Sequence, residues 1–372
     1  MDRRTFTRLL GSGSLMLPLP AASAQTKRIK VGVVTGADGA HLSAYFPALA
    51  ETTEASPVVL SDPSGESFAA ARAALGDKLA ATYKSLDEML AKEKPELALV
   101  TMEAVHAPPA IDAALEAGCH VLAEKPACVR AEDFQKLVVK AKRKDRLLVL
   151  ALANRLNPEV RTARWLIESG KIGKIYGMEV HLIADQTRLT RPAYHETWRA
   201  QKARGGGGHL IWLGIHWLDL AMYISGSRIT EVTGFTGVVG GQPLDTEDSA
   251  AIAMRFDNGT FGTMTSGYYL DRGYHSNLKI WGSKGWLEIQ RFTGGAQSFP
   301  LEWYSTTEAN PQIHRVRRAD VPTGYTPFVQ AVVRAGAGLA EAPLDSEDSL
   351  YVLKTVFACY KAAETGQRQA VV

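Results

Sequence analysis

The sequence has few of the features that mark nucleic-acid-binding or membrane-spanning proteins. Its 372 residues carry 42 Lys and Arg against 39 Asp and Glu, so the formal net charge is only +3, and no segment is a basic run. A nearly neutral chain offers no electrostatic basis for binding nucleic acid or an anionic membrane. The length and the 46% content of hydrophobic residues instead fit a globular protein of two domains of roughly 100–200 residues each.

Cysteines are also scarce, at three in the whole chain. They are Cys119, Cys128 and Cys359, and none has CxxC spacing. The pattern therefore predicts buried free thiols rather than a disulfide framework or a cysteine metal site. No two histidines have the HExxH-type spacing that brings two ligands and a carboxylate together, so no metal is predicted.

Long apolar runs are missing except at the N-terminus, where the run is too short to span a bilayer. Arg3 and Arg4 precede an apolar stretch, residues 9–19, that glycine and proline interrupt, and a small-x-small site follows at residues 22–24. A span needs about 20 residues. We therefore interpret residues 1–24 as a signal peptide, and the arginine pair favours twin-arginine export to the periplasm or another extracytoplasmic compartment. No membrane contact is expected after cleavage.

Short, continuously apolar segments alternate with helical patterns over residues 27–153. The apolar segments include residues 29–34, 58–60, 97–101, 120–123 and 147–153. Strands without polar alternation are typical of a parallel sheet that is covered on both faces. We predict an α/β fold class, with an N-terminal Rossmann-like, doubly wound domain over residues 27–153.

The pattern changes after residue 153. Longer strands with alternating polarity appear, and Asp257-Asn258-Gly259 predicts a hairpin turn between two of them. A closing helix is predicted over residues 346–364. Residues 154–372 are therefore predicted to form an α+β domain with a large, mainly antiparallel sheet. The long polar connection at residues 185–204 is of the kind that often carries function.

The turn after the first predicted strand is a candidate phosphate loop. A strand, a glycine-containing turn and a helix would present backbone N–H groups to a pyrophosphate, which makes Gly36, Ala37, Gly39 and Ala40 candidate cofactor-binding residues. The two glycines are displaced from GxGxxG, so an ordinary strand–helix turn stays open as an alternative. Asp62 stands where an acid accepts hydrogen bonds from the adenosine ribose, and it favours NAD over NADP because it would repel a 2′-phosphate.

The strand that ends in Glu124-Lys125-Pro126 resembles the glucose–fructose oxidoreductase/inositol dehydrogenase (Gfo/Idh/MocA) family. The resemblance continues through the glycines at 206–208 and Gly214-Ile215-His216. It implies a nicotinamide cofactor, with Lys125 beside the nicotinamide and the substrate. It also implies cofactor contacts from Glu124 and Arg155, a sugar or cyclitol substrate and a homo-oligomer.

In that family the glycine triplet leads into Asp-x-Gly-x-His-x-x-Asp. Here His216 and Asp219 match, and His216 suits a general base because its pKa lies near working pH. Trp212 replaces the first aspartate, and a tryptophan cannot accept a proton. Three interpretations stay open: Lys125 and His216 suffice; His209, close to one turn earlier, substitutes; or Trp212 is a stacking platform in a site that no longer dehydrogenates.

These features together predict an exported NAD(P)-dependent oxidoreductase that acts on a sugar or cyclitol hydroxyl. Trp198, Trp212 and Asp219 are the candidate substrate residues. Twin-arginine export carries folded proteins, so the cofactor is expected to be bound tightly. Two alternatives stay open. One is an NAD-retaining glycoside hydrolase or lyase that oxidises a sugar carbon transiently; the other is a cofactor-free carbohydrate-binding protein.

Overall fold

The computed structural model of the chain describes residues 27–292 and 299–372. The predicted signal peptide, residues 1–24, lies outside the described residues. The three cysteines are free and buried, which confirms their predicted state. No helix within the described ranges is both long and apolar enough to cross a bilayer.

The first domain is built on six parallel strands. They are β1 (Ile29–Thr35), β2 (Ala55–Ser61), β3 (Leu79–Tyr83), β4 (Leu97–Thr101), β5 (His120–Ala123) and β6 (Leu148–Leu150). The helices between them are α1 (Leu42–Glu51), α2 (Phe68–Leu75), α3 (Leu86–Glu93), α4 (Ala107–Glu116) and α5 (Ala131–Arg143). The strand order β3-β2-β1-β4-β5-β6 is that of a doubly wound Rossmann sheet, as predicted.

The position of the site follows from this order. Every residue of β4 is buried because helices cover both faces of the sheet. The strand order reverses between β1 and β4, and in open α/β sheets ligands bind beyond the carboxyl ends of the strands at such a switch point. The turns after β1, β2 and β5 therefore meet at one edge of the sheet.

The second sheet has nine described strands. They are β7 (Ile175–Asp185), β8 (Ile229–Gly237), β9 (Ser249–Phe256), β10 (Phe261–Leu270), β11 (Tyr274–Gly282), β12 (Gly285–Phe292), β13 (Leu301–Ser305), β14 (His314–Val316) and β15 (Gln369–Ala370). Their order is β14-β13-β12-β11-β7-β10-β9-β8-β15. Among the described strands of this second sheet, only the β7–β10 pair is parallel, so the prediction of a mainly antiparallel sheet is confirmed. The predicted turn at residues 257–259 joins β9 to β10.

The remaining helices are α6 (Pro158–Glu168), α7 (Pro192–His195), α8 (Lys202–Gly205), α9 (Ile215–Ser225), α10 (Tyr325–Gly336) and α11 (Ser346–Thr365). Of these helices, α6, α9 and α11 pack against this sheet. The other face of the sheet points outward. Along β9, residues 251, 253 and 255 are exposed while residues 252, 254 and 256 are buried, the alternation expected of a half-covered sheet.

The last two helices return to the first domain. Helix α10 packs against α1, and α11 packs against α5, β6 and β8. A Cβ atom on Gly336 would lie 3.1 Å from Leu97 Cδ1 and 3.4 Å from Ile29 Cδ1, so α10 lies close on the Rossmann sheet. The two closing helices of the chain thus pack against elements of the first domain.

Candidate active site

The turn after β1 is held in a strained and tightly packed form. Asp38 and His41 have φ angles of 58° and 59°, a left-handed conformation that non-glycine residues seldom adopt. A Cβ atom on Gly39 would lie 2.0 Å from Thr35 Oγ1 and 3.0 Å from the carbonyl oxygen of Thr101, whereas one on Gly36 would meet nothing within 4 Å. Gly39 is thus required by packing, and Gly36 leaves open space where a ligand can approach the backbone.

The charge of Asp38 is neutralised by the second domain. Arg199 Nη1 forms an ion pair with the Asp38 carboxylate, and Arg199 Nη2 donates a 3.0 Å hydrogen bond to the Asp38 carbonyl. Trp198 Nε1 donates to the same carbonyl over 3.3 Å. A lone aspartate in this turn would repel a pyrophosphate, but the paired aspartate does not present a net charge.

A cavity of about 360 Å³ opens between this turn and the turn after β2. Gly36, Gly39 and Ser43 line one side of it, and Asp62 and Glu66 line the other. It lies at the N-terminus of α1, where backbone N–H groups favour an anion. The position and lining of the cavity fit the adenosine half of a dinucleotide.

Asp62 lies in the predicted place but is already engaged. Its side chain is buried. One carboxylate oxygen accepts hydrogen bonds from Ser64 N and Oγ at 3.0 and 2.7 Å, and the other accepts from Ser67 N and Oγ at 3.0 and 2.7 Å. Burial alone would raise the pKa of Asp62, but these bonds hold it below its ordinary value. Because a carboxylate offers about four acceptor positions, a ribose hydroxyl has to displace one serine hydroxyl.

Glu124 is surrounded by donors from both ends of the chain. It accepts hydrogen bonds from Tyr45 Oη and, over 3.3 Å, from Tyr325 Oη. His41 Nδ1 lies 3.0 Å from its other oxygen. Burial and the Glu124 charge raise the pKa of both tyrosines well above the ordinary value, so the hydroxyls stay protonated and hold the carboxylate in place.

Lys125 is almost completely buried, with 2% of its surface exposed. Its Nζ donates a 2.7 Å hydrogen bond to the carbonyl of Trp212, lies 4.5 Å from the centroid of the Trp212 ring and lies 3.9 Å from Glu124 Oε1. Burial lowers the pKa of Lys125 to about 8, with Glu124 opposing and Arg199 and Arg188 adding to the shift. The amine is thus neutral in a large fraction of molecules at mildly alkaline pH.

The glycine run fixes the helix that faces Lys125. A Cβ atom on Gly208 would lie 1.8 Å from the carbonyl oxygen of Glu247, and one on Gly207 would lie 2.2 Å from Tyr360 Oη. The Glu247 carboxylate accepts hydrogen bonds from Gly208 N at 2.7 Å and Leu210 N at 2.8 Å. No larger side chain fits here, so the glycines allow the start of this helix to pack directly on the Glu247 backbone.

Trp212 lies in a short π-helical turn, Leu210–Gly214, that continues into α9. Such turns are rare and frequently occur at functional sites. The Trp212 ring packs against Trp198 with centroids 4.9 Å apart, and only 7% of the residue is exposed. The ring therefore forms a wall beside Lys125 rather than an exposed platform, and Trp198 lies behind it.

The structure brings Lys125, Trp212 and His216 into one region. His216 is half-buried near the start of α9, four residues after Trp212 and hence about one turn along the helix. His209, three residues before Trp212, is fully buried: its Nδ1 is 2.6 Å from Ser266 Oγ and its ring packs edge-on against Tyr268. Burial, followed by the charge of Arg188, lowers the pKa of His209 to about 3, so its imidazole stays neutral.

Two of the predicted ligand-binding residues form a buried ion pair with each other. Arg155 Nη2 donates a 2.6 Å hydrogen bond to Asp219 Oδ1, and both side chains are buried. Arg155 also pairs with Asp348 on α11. Each charge needs the other in this buried position, and the pair ties the turn after β6 to α9 and α11. The expectations that Arg155 contacts the cofactor and that Asp219 contacts the substrate stay predictions.

Several site residues carried no recognisable signal in the sequence. Arg188 and Arg199 lie within the polar connection at residues 185–204, which was predicted to be functional only as a segment. Tyr45 belongs to a helix whose pattern indicates ordinary core, and Tyr325 is 201 residues away from Glu124. Among the described residues no group of three or more His, Cys, Asp or Glu side chains is arranged to hold a metal ion.

Comparisons with known proteins agree with this architecture. Residues 29–152 match a family model described as "Oxidoreductase family, NAD-binding Rossmann fold", and residues 160–288 match the "GFO/IDH/MocA C-terminal domain" model. Together the two models cover about two thirds of the chain.

Individual relatives are distant but extend over most of the chain. D-glucoside 3-dehydrogenase of Escherichia coli (strain K12) is 26% identical over 275 residues, which cover 68% of this chain and 73% of that protein. The dTDP-3,4-didehydro-2,6-dideoxy-alpha-D-glucose 3-reductase of Streptomyces violaceoruber is 28% identical over 331 residues, 85% and 88% of the two chains. A solved structure of levoglucosan dehydrogenase with NADH and L-sorbose superposes with a TM-score of 0.80 at 19% identity, covering 93% of this chain and 99% of that one.

Proposed function

Because the chain belongs to the GFO/IDH/MocA family of oxidoreductases and its first domain is an NAD-binding Rossmann domain, we propose that it oxidises or reduces a sugar or cyclitol at a hydroxyl-bearing carbon. Relatives whose names state glucoside and sugar-nucleotide substrates support this substrate class. The observation that carries the proposal is the position of Lys125, a buried amine with a lowered pKa beside the helix of His216.

The chain's own residues account for cofactor binding. The turn at residues 36–40 and the N-terminus of α1 suit the pyrophosphate, and Asp62 suits the adenosine ribose once a serine hydroxyl moves. Glu124 and Lys125 lie where the family resemblance puts the nicotinamide end. Asp62 favours NAD over NADP because a 2′-phosphate would meet its negative charge. When bound, the nicotinamide accepts or donates the hydride.

Lys125 handles the proton in this proposal. Oxidation of a hydroxyl releases a proton, and a neutral lysine amine can accept it. The usual aspartate is absent, so no carboxylate at position 212 raises the pKa of the lysine. With Trp212 at this position, the pKa of Lys125 stays lower than it would be beside an aspartate. His216, on the next turn of the helix, is the second candidate proton acceptor.

The first experiment is to release and identify whatever nicotinamide cofactor copurifies with the folded protein, and to titrate NAD and NADP into stripped protein. Binding of about one NAD per chain, followed by reduction of the bound cofactor on addition of one of a panel of sugars and cyclitols, supports the proposal. Lys125→Met should still bind NAD and fail to reduce it. Stripped protein that binds neither dinucleotide contradicts the proposal and favours a cofactor-free carbohydrate-binding protein.

One observation favours a second candidate. The contacts from Trp198 and Arg199 to Asp38 hold the phosphate turn from the other domain, which suits a protein that retains its cofactor. A hydrolase or lyase that retains NAD and oxidises a sugar carbon transiently would use the same site. Such an enzyme cleaves a glycoside with no net change in the oxidation state of the bound nicotinamide, whereas a dehydrogenase leaves one NADH for each sugar oxidised.

We also propose that the protein is exported through the twin-arginine route, on the strength of Arg3, Arg4 and the apolar run that follows. Fractionation of a host cell should find the mature protein outside the cytoplasm. Replacement of both arginines by lysine should leave the precursor in the cytoplasm. An unprocessed wild-type chain in the cytoplasmic fraction contradicts this assignment.

A homo-oligomer is proposed from the outward face of the second sheet. Phe235 and Phe261 on this face are each more than half exposed, and exposed apolar side chains on one face are typical of an interaction surface. A second copy of the chain is the proposed occupant. Light scattering should give a mass of at least two chains, and the double variant Phe235→Lys/Phe261→Lys should shift the mass toward one chain.

A further inference from the structure

Arg188 differs from the other cations of the site in having no anionic partner. Lys125 lies beside Glu124, Arg199 pairs with Asp38, and Arg155 pairs with Asp219. Arg188, by contrast, forms no ion pair with any carboxylate in residues 27–292 and 299–372. Its guanidinium donates a weak 3.4 Å hydrogen bond to Tyr274 Oη and lies 5.5 Å from the centroid of the Tyr268 ring.

Arg188 is connected to the helix of Trp212 through Tyr268, whose ring centroid lies 5.5 Å from the guanidinium and whose ring packs edge-on against His209. The charge of Arg188 contributes to lowering the pKa of Lys125 and that of His209, so the guanidinium lies within electrostatic range of both groups. Arg188 is half-buried and lies just beyond the end of β7. It is therefore partly shielded from solvent yet still accessible to a ligand.

Neither Asp185 nor Glu247 forms an ion pair with Arg188. Asp185 Oδ1 accepts a 2.7 Å hydrogen bond from Thr187 N; bonds from Thr187 are the main cause of its lowered pKa, and Arg188 contributes less. Glu247 is held by backbone N–H groups and by Tyr360 Oη at 2.8 Å. Both carboxylates are thus held by other groups, and the positive charge of Arg188 has no ion-pair partner among the described residues.

Three tyrosines border this guanidinium. Tyr194, Tyr268 and Tyr274 all interact electrostatically with Arg188, and burial raises the pKa of Tyr194 and that of Tyr268 above the ordinary value. The protonated phenols are hydrogen-bond donors, and their rings offer flat apolar faces to a sugar. A planar guanidinium flanked by such donors is suited to two-point recognition of an oxyanion.

We propose that Arg188 binds an anionic substituent of the substrate, so that the protein acts on acidic sugars, with a carboxylate, phosphate ester or sulfate ester paired to the guanidinium. This inference rests on the proposed function for its assignment of a sugar, and it adds the charge of that sugar. An uncompensated, partly buried arginine is costly in the free protein. The bound oxyanion removes that cost, which gives acidic sugars an advantage over neutral ones.

Binding is measured by calorimetry on the full mature protein loaded with NAD, at low and moderate ionic strength. The probes are D-glucuronate, D-glucose 6-phosphate, D-glucose 6-sulfate and neutral D-glucose. We expect at least one acidic sugar to bind roughly tenfold or more tightly than D-glucose, as is typical for a charge-assisted hydrogen bond in a partly buried site. The ranking of the acidic probes identifies the kind of oxyanion. Equal affinity for all four sugars overturns the proposal.

Variants separate Arg188 from general charge effects. Arg188→Gln should abolish the preference for the acidic sugar, and Arg188→Lys should keep part of it because the charge remains while the planar fork is lost. Arg191→Gln is the matched control, because Arg191 is exposed on the same segment and its loss should leave the preference unchanged. Circular dichroism and thermal melting check that each variant is folded. An unchanged preference in folded Arg188→Gln overturns the proposal.

The same experiment distinguishes failure of this inference from failure of the proposed function. If Arg188→Gln weakens NAD binding instead of sugar binding, the guanidinium contacts the cofactor and the inference is wrong, while the oxidoreductase function stands. If stripped protein binds no dinucleotide but still prefers acidic sugars through Arg188, the proposed oxidoreductase function is wrong, while the proposed binding of an anionic sugar by Arg188 is supported.

Discussion

Arg199, in the segment between β7 and α9, holds Asp38 in the turn after β1 through both an ion pair and a hydrogen bond to its carbonyl. The contact crosses from the sheet domain to the Rossmann domain. It satisfies an aspartate whose φ angle of 58° is unfavourable in isolation. The phosphate turn of this chain is therefore stabilised by the other domain rather than by the glycine pattern alone.

Loss of this contact should speed the release of bound cofactor. In Arg199→Gln the Asp38 charge is exposed to the pyrophosphate and the turn is held less firmly. We expect NADH to dissociate roughly threefold to tenfold faster, as followed by nucleotide fluorescence in a chase experiment, with a stability loss below about 1 kcal/mol because the pair is partly exposed. Lys142→Gln, which removes a solvent-exposed pair with Glu347, is the control. Equal release rates in the two variants would show that the contact does not retain the cofactor.

The sequence predicted the elements better than it predicted their contacts. Continuous apolar strands indicated the parallel sheet, and the helix predicted over 346–364 is observed as Ser346–Thr365. Strand β3 went unrecognised because it is an edge strand with only Leu79 buried, so its pattern lacks the apolar run of its neighbours. The parallel β7–β10 pair inside an antiparallel sheet also leaves no trace in the alternation of side chains.

The site was predictable to the extent that it follows from local motifs. Lys125 and His216 were identified because their neighbours in the chain are distinctive. Contacts such as Tyr325–Glu124 and Arg199–Asp38 join residues far apart in sequence, and nothing in their local sequence reports them. The Arg155–Asp219 ion pair was not predicted for the same reason: a matching motif gives the residue type, whereas the partner that neutralises it depends on the folded chain.

Gly39 and Gly36 form a matched pair for testing the phosphate turn. Gly39→Ala should destabilise the protein by about 1–3 kcal/mol, because the added methyl group overlaps Thr35 Oγ1 and presses on the Thr101 carbonyl. The methyl group added in Gly36→Ala would have no neighbour within 4 Å, so this variant should change the free energy of unfolding by less than about 0.5 kcal/mol. Urea denaturation measures both. Similar losses in the two variants would contradict the observed packing of the turn.

The rate of sugar oxidation should rise with pH through a value near 8. Lys125 has its pKa lowered to about 8, and only the neutral amine accepts the proton of the hydroxyl, so the oxidation rate increases as the lysine deprotonates and then reaches a plateau. Ketone reduction requires the protonated amine and should fall over the same range. Profiles of kcat in both directions test this. A rise in both directions would exclude Lys125 as the titrating group.

Lys125 should also reduce the stability of the protein near neutral pH. The pKa of Lys125 is lower in the folded protein than in the unfolded chain, so the unfolded state binds the proton more tightly. The resulting loss of folding stability is full below about pH 8 and disappears as the pH rises through 10.5. Lys125→Met should therefore increase the free energy of unfolding at pH 7, by roughly 3 kcal/mol at most, and by less at alkaline pH. Lys136→Met, at an exposed lysine, should change stability by less than about 0.5 kcal/mol. A gain that does not shrink with rising pH would exclude a charge effect.

Restoring an acid at position 212 should shift the titration of Lys125. A carboxylate in Trp212→Asp would lie beside the Lys125 amine and stabilise its charged form, raising its pKa by about 1–3 units. The midpoint of the pH–rate profile for oxidation should move to higher pH by the same amount. Oxidation at pH 7 should then be slower, unless the new carboxylate itself acts as the general base. In that case, the profile gains a second, acidic limb.

The shifted midpoint and the acidic limb would both come from the new charge rather than from the loss of the tryptophan ring. The variant Trp212→Asn separates the effect of the charge from the effect of losing the ring. Asparagine has nearly the volume of aspartate, so both variants leave the same cavity beside Trp198. This cavity by itself should lower the free energy of unfolding by about 3–5 kcal/mol. The midpoint for Trp212→Asn should therefore stay near that of the wild type, while that for Trp212→Asp moves. If the two variants share one midpoint, a carboxylate at position 212 does not tune the lysine, and the lowered pKa of Lys125 arises from burial and the neighbouring charges already present.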